Sequence, residues 1–186
     1  MEGIEIIDNF LPEEVHKEIY NYVFGGIIPL FYQHNTLPFD DKYEYSAVEN
    51  VEELDKKFNI TETGHPFFYH MFFDNLKTVS DWDSVYMPLL EKVGPLSIIR
   101  GKLNVNINTK THISSGWHFD LSSKSNYRTL VYHLNTSNGY TLFEDGTKAE
   151  SIANRLITFP GNLIHTGITQ TDEPSRAFIT FNYFEK

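Results

Sequence analysis

Trp117-His118-Phe119-Asp120 sets an imidazole and a carboxylate two positions apart. On a β-strand, residues i and i+2 point to the same face, so the two groups would stand side by side. A second imidazole, His165, follows downstream within PGNLIHTG (160–167), a turn-and-strand context. Two histidines and one carboxylate cover one face of an octahedral ion and leave positions open, the facial triad of non-haem Fe(II) oxygenases. His118, Asp120 and His165 are therefore candidate metal ligands and catalytic residues. An isolated His-x-Asp is weak in a chain with eight histidines. Taken alone, His118 reads first as a hydrogen-bonded buried histidine. Arg176 adds a further element. If His165 opens one strand and Arg176 the next antiparallel one, the guanidinium faces the metal, and its rigid fork of donors suits a bidentate carboxylate. An exposed arginine after the turn Thr171-Asp172-Glu173-Pro174-Ser175 is the equal alternative.

The elements that must position these groups follow from periodicity and turn chemistry. IEII (4–7) reads as a short strand broken by Asp8 and Asn9. Pro12, Glu13 and Glu14 suit a helix start, and Val15, Ile19, Tyr22 and Val23 recur at helical spacing. The spacing predicts a helix over 12–23, ended by Gly25-Gly26. Residues 25–66 read mostly as loop, with a strand near 28–33 and a short helix or polar loop near 49–57. FFYHMFF (67–73) is a dense aromatic run, core or groove wall rather than a nucleic-acid stacking platform, since no basic residues interleave it. DSVYMPLLEKV (83–93) looks helical despite Pro88. From 95 onward, short runs rich in Ile, Val, Thr, Phe and Tyr alternate with Gly, Asn and Ser turns. Candidate strands are 96–108, 116–120, 128–134, 140–144, 149–152, 155–159, 163–168 and 176–184, a sandwich or barrel spacing. The expected fold is mainly β with N-terminal helices, a double-stranded β-helix of the jelly-roll or cupin-like kind. One domain spans 1–186, with 1–95 as helical and loop support and 96–186 as the jelly-roll core.

Bulk properties narrow the classes. The chain has 186 residues, 40% hydrophobic, and a net charge of −10. That balance disfavours sequence-independent nucleic-acid binding and docking on an anionic membrane. The absence of cysteine rules out disulfides, thiolate metal sites and a cysteine nucleophile, and fits a cytoplasmic setting. No apolar run approaches the roughly 20 residues of a membrane-spanning helix, and the acidic start is not a signal peptide. There is no GxSxG, Walker A or dinucleotide fingerprint. Oligomeric state is not encoded in any of these features.

The order His-x-Asp, distal His, then a basic residue resembles the 2-oxoglutarate/Fe(II) dioxygenase superfamily, and more closely its prolyl 4-hydroxylase-like branch. IIDNFLPEEVHKEIYNYV (6–23) looks like that branch's opening strand and helix, and RTLVYHLN (128–135) like the strand after its iron motif. NGYTLFEDG (138–146) looks like its Gly-Gly-x-Thr turn, with Asn138 and Tyr140 departing from the commonest form. NRLITFPGNLIHTG (154–167) looks like the strand-turn-strand that carries the distal His. The resemblance covers most of the chain and is thin between 25 and 95.

It implies iron held by His118, Asp120 and His165, with Arg176 on the distal carboxylate of 2-oxoglutarate. His133 stands where relatives often place a Tyr that also contacts this carboxylate, and Thr141 would line the same pocket. In Leu103-Asn104-Val105-Asn106-Ile107-Asn108 the polar side chains share one face, and Asn104 and Asn106 would approach the co-substrate; a solvated strand face explains the alternation equally well. Counting by twos from Arg176, Thr180 and Asn182 also face inward. His16, His34, His65, His70 and His112 lack comparable spacing and read as structural or exposed.

The implied cofactors are Fe(II), 2-oxoglutarate as co-substrate and O2, with ascorbate as an accessory reductant. The implied reaction hydroxylates a C–H bond. A prolyl residue of a protein or peptide comes first, a free amino acid or small metabolite second, and a nucleobase last. Loop-rich 33–60 and 109–128 would form a lid. A jelly-roll protein that binds metal or ligand without turnover stays open as a different class.

Overall fold

In the computed structural model, residues 3–36, 48–121 and 126–186 are described. The N-terminal part supplies β1 (Glu5–Ile7), α1 (Glu13–Phe24), β2 (Phe31–Gln33), α2 (Val51–Phe58), β3 (Phe67–Asp74), β4 (Lys77–Thr78) and α3 (Asp83–Val93). The rest supplies β5 (Ser97–Ile107), β6 (Arg128–His133), β7 (Tyr140–Phe143), β8 (Lys148–Glu150), β9 (Leu156–Pro160), β10 (His165–Ile168) and β11 (Ser175–Phe184). The strands form two antiparallel sheets, in the orders β1-β9-β6-β11-β5-β3-β2, with β4 on β3, and β10-β7-β8. This is the expected jelly roll. The segment 1–95 contributes strands to the large sheet as well as helices.

Period-two alternation gives the large sheet two unlike faces. Leu103 and Val105 of β5, Leu130 and Tyr132 of β6, and Ala177, Ile179 and Phe181 of β11 share one core with Ile19 and Val23 of α1 and Val85 and Leu89 of α3. Burying each large side chain of that kind contributes about 1.5–3 kcal/mol. α1 begins after Pro12 with Glu13 and Glu14 in its first turn, close to the expected bounds. α3 keeps Pro88 in its interior. Four buried side chains on its sheet-facing side (Val85, Tyr86, Leu89, Leu90) offset the lost backbone bond. Asn154 ties the N-terminal part to the sheet. It sits at φ 61, accepts from Leu11 N at 2.8 Å and donates to Leu11 O at 2.8 Å.

The opposite face of the large sheet carries polar side chains: Lys102, Asn104 and Asn106 on β5, and Arg176, Thr180 and Asn182 on β11. The small sheet closes over it, joined through Phe143, Val131, Ile157 and Phe159. α2 covers the back of the small sheet, with Leu54 against Trp117, Leu142 and Ile168. The mouth of the barrel lies between the sheets.

Two expectations change in detail. Residues 116–120 are not a strand; only His118 pairs, in a single bridge with His165. The loop 109–121 is also tied down rather than free. Thr109 and Ile113 bond Thr169 Oγ1 at 2.7 and 2.8 Å, and Ser114 Oγ bonds Thr166 Oγ1 at 2.7 Å. Residues 37–47 and 122–125, the remainder of the expected lid segments, lie outside the described residues. Among the described residues no helix is long and apolar enough to cross a membrane.

Candidate metal centre

His118 and His165 face each other across a single antiparallel bridge. His118 N donates to His165 O at 3.0 Å and His165 N to His118 O at 3.1 Å, which holds the ring centroids 4.6 Å apart. Each ring is then fixed by its own backbone. His118 Nδ1 lies 2.7 Å from Gly116 O, and His165 Nδ1 lies 2.9 Å from Leu163 O. A carbonyl only accepts, so Nδ1 carries the proton in both rings and each Nε2 presents its lone pair. Asp120 Oδ1 is 3.7 Å from His118 Nε2. The ligand atoms of His118, Asp120 and His165 all fall within 4.8 Å of one another, compatible with one small divalent ion. The donor set, two imidazoles and one carboxylate, fits Fe(II).

Asp120 is braced on its other oxygen. Thr129 Oγ1 donates to Oδ2 at 2.7 Å, and Asn182 Nδ2 donates to it at 3.0 Å. Oδ1 faces His118 Nε2 at 3.7 Å and Arg100 Nη2 at 3.6 Å. Burial alone would raise the Asp120 carboxyl; the charges of His165, Arg100 and His118 and the Thr129 hydrogen bond outweigh it and hold the group well below the usual carboxylate range. Burial, aided by His165, pushes His118 down to about 4. Asp120 and His118 are therefore in the protonation states that metal binding requires at neutral pH. Thr129→Val removes one brace while keeping shape, and Fe(II) affinity is expected to fall about 10- to 100-fold in a metal titration.

The three candidate ligands open onto a cavity of about 260 Å³. Asn104, Asn106, Thr141, Arg176 and Thr180 line it, as expected from the sequence, and Asn182 touches it through Asp120. Arg176 is 1% exposed. Its Nη1 donates to Ile168 O at 2.9 Å, its guanidinium lies 4.8 Å from the centre of the Phe178 ring, and its Nε has no partner among the described residues. No carboxylate pairs with it among the described residues. Burial lowers its pKa to about 10, so it is charged at neutral pH.

His133 is buried but does not line the cavity. Its Nδ1 is 3.0 Å from Ser151 Oγ, and its ring centre is 6.1 Å from that of Phe178, which does line it. Its ring stands behind Phe178, and its Nε2 has no hydrogen-bond partner among the described residues. His65 departs from expectation in the opposite sense, being 2% exposed and on the cavity wall.

Arg100 and Lys102 are cavity-lining residues that sequence reasoning missed. Both lie on the inward face of β5, Arg100 four and Lys102 two positions before Asn104. A bulge at Ile99, where Tyr183 pairs with Ile98 and Asn182 with Arg100, adjusts the strand at this end. Arg100 Nη2 donates to Asp120 O at 3.1 Å, and its Nε donates to Asn182 Oδ1 at 3.2 Å. Burial, and then the charge of Arg100, pulls Lys102 down to about 8.

His65 and His133 give the apoprotein a pH signature. Burial, and then the charge of Arg176, holds both below the ordinary imidazole value. The unfolded chain takes up these protons first as pH falls below about 6.5, so stability is present above that pH and declines below it. The expected slope approaches about 1.4 kcal/mol per pH unit for each group. Thermal unfolding between pH 7.5 and pH 5 checks it (working range set by the reference imidazole value near 6.5). An unchanged melting temperature would show that these imidazoles protonate in the folded state.

No protein-family model matches the sequence, and no curated protein matches it. Solved structures do share the fold. A prolyl hydroxylase from Trichoplax adhaerens, in complex with a hypoxia inducible factor oxygen degradation domain peptide fragment, is similar at TM-score 0.61 and 13% identity, covering 100% of this chain and 84% of that one. The non-haem alpha-ketoglutarate dependent epimerase SnoN from nogalamycin biosynthesis is similar at TM-score 0.59 and 10% identity, covering 98% and 78%. A Pseudomonas putida prolyl-4-hydroxylase is similar at TM-score 0.52 and 11% identity, covering 99% and 93%. The chain has the jelly-roll fold of these oxygenases, a fold that hosts more than one reaction.

Proposed function

We propose that this chain is a 2-oxoglutarate- and Fe(II)-dependent dioxygenase that hydroxylates a C–H bond. The observation that carries the reading is Arg176, a buried guanidinium with no anionic partner among the described residues, in the same cavity as a His-Asp-His set. A buried charge left unpaired is costly, and a ligand carboxylate would resolve it. A metal-binding module without a co-substrate has no need of such a group.

In this reading His118, Asp120 and His165 hold Fe(II), and Arg176 takes the far carboxylate of 2-oxoglutarate. Thr141 and Asn106 flank that end of the cavity and Asn104 lies nearer the metal, its Nδ2 bonded to Thr180 Oγ1 at 3.2 Å. Iron and 2-oxoglutarate together supply oxygen activation, with succinate and carbon dioxide as co-products. The protein's own part is to hold the ligand protonation states, aim Oδ1 of Asp120 and shield the site. A prolyl residue of a peptide or protein is the first substrate class to test, because the Trichoplax structure of the same fold contains a peptide fragment. The experiment is succinate formation from 2-oxoglutarate with Fe(II) and ascorbate, with and without a panel of peptides and small metabolites. No succinate under any of these conditions would favour the non-catalytic binding protein.

A further inference from the structure

The charges around the cavity do not balance. Among the described residues that line it, Arg100, Lys102 and Arg176 are cations and Asp120 is the one carboxylate. Fe(II) and the 2-oxoglutarate dianion would cancel, so the loaded site would remain two positive charges in excess. That excess sits inside a chain whose net charge is −10.

The three cations are not equivalent. Arg100 is fixed on Asp120 and Asn182. Arg176 lies at the other end, where β11 pairs with Asn106. Lys102 stands between them on the same face of β5, opposite Thr180. Its ammonium has no ion pair or hydrogen bond among the described residues and lies 5.6 Å from the centre of the Phe67 ring. An amine in that position, partly withdrawn from water and repelled by Arg100, is a receptor for an anion that the chain does not supply. Resting on the dioxygenase reading above, we propose that the primary substrate is a small molecule bearing an anionic group, a carboxylate or a phosphate, and that Lys102 binds that group beside the metal. This sets the specificity of the site toward acids and away from an uncharged prolyl peptide. Asp120 holds Arg100 back from the role, so the recognition is assigned to one flexible ammonium rather than a guanidinium fork.

The test uses binding in the absence of oxygen, so that no turnover is needed. Trp117 lines the cavity, and Trp82→Phe leaves its fluorescence as the sole tryptophan signal. The protein loaded with Fe(II) and 2-oxoglutarate is titrated with free L-amino acids, small organic acids, glycerol 3-phosphate, the methyl esters of the same acids, and end-blocked prolyl peptides with and without an acidic side chain. Acids are expected to bind about 10- to 100-fold more tightly than their esters, the worth of one charge-assisted hydrogen bond. Lys102→Met should remove most of that difference and leave 2-oxoglutarate affinity within about threefold, which corresponds to well under 1 kcal/mol.

Which anions bind separates carboxylate from phosphate, and free acids from acidic side chains on a peptide. Equal binding of acids and esters overturns the proposal. So does a neutral prolyl peptide that binds where every acid fails. A Lys102→Met variant that loses 2-oxoglutarate instead overturns it by assigning Lys102 to the co-substrate. These outcomes leave the dioxygenase reading standing. If 2-oxoglutarate itself does not bind the Fe(II)-loaded protein, both readings fall together.

Discussion

Asp120→Ala is expected to abolish Fe(II) retention and 2-oxoglutarate turnover while leaving the chain folded. Asp120 is the one anionic donor of the set, and its Oδ2 is already committed to Thr129 and Asn182. Removing it leaves two neutral imidazoles facing a wall that carries Arg100 and Lys102. The set then holds no anionic donor, and an incoming divalent cation meets neutral imidazoles beside uncompensated cations. Breaking a buried charged pairing by deleting one partner costs about 3–5 kcal/mol, equivalent to a loss of about 10²- to 10⁴-fold in metal affinity. The fold should survive, because the strands beneath Asp120 are held by the core of β5, β6 and β11 rather than by this side chain. Metal content after dialysis, succinate formation and far-UV circular dichroism separate the outcomes. Near-normal iron content and turnover would refute the metal assignment. Loss of the folded signal would mean that Asp120 serves chiefly to neutralise Arg100.

Much of this centre is legible in the sequence because strand alternation is a strict geometric rule. Asn104, Asn106, Thr180 and Asn182 fall on the inward face by counting in twos, and the structure puts them there. The same count reaches Lys102 and Arg100. They are passed over because charged residues on a strand usually belong to its solvated face, and only the tertiary fold turns that face into a cavity. The His118–Asp120 pairing is legible for a partly wrong reason: the segment is not a strand, and the bridge to His165 with the Oδ2 clamp aims the two groups instead. His65 carries no local signal. It reaches the cavity from a loop held by Thr63, which pairs with Ser114. The aromatic run 67–73 does not declare itself as a strand, since large side chains without a two-residue alternation, His70 the one strongly polar member, fit a buried helix as well. Whether Arg176 is buried or exposed is likewise undecidable from a turn followed by alternating residues. The closure of the small sheet, with Ile168 O accepting from Arg176, settles it.

That burial makes Arg176→Met the most informative second variant. Its two effects should run in opposite directions. In the apoprotein the guanidinium is inside, with one hydrogen bond to Ile168 O and an unpartnered Nε. Replacing such a charge with an apolar side chain of similar length is commonly neutral or stabilising, so the melting temperature without ligand should hold or rise. In the loaded protein the same change removes one partner of a desolvated carboxylate–guanidinium pair, which costs about 2–5 kcal/mol. The 2-oxoglutarate requirement should therefore rise about 30- to several thousandfold, with a smaller change in the maximal rate, because the far carboxylate does not react. Fe(II) affinity should stay close to that of the parent chain, since Arg176 touches no metal ligand. A purely structural role predicts the reverse pattern, a lower melting temperature with an unchanged 2-oxoglutarate requirement. Titrating succinate formation against 2-oxoglutarate, alongside thermal unfolding of the apoprotein, distinguishes the two. The opposition between stability and affinity is the physical signature of a charge retained for a ligand rather than for the fold.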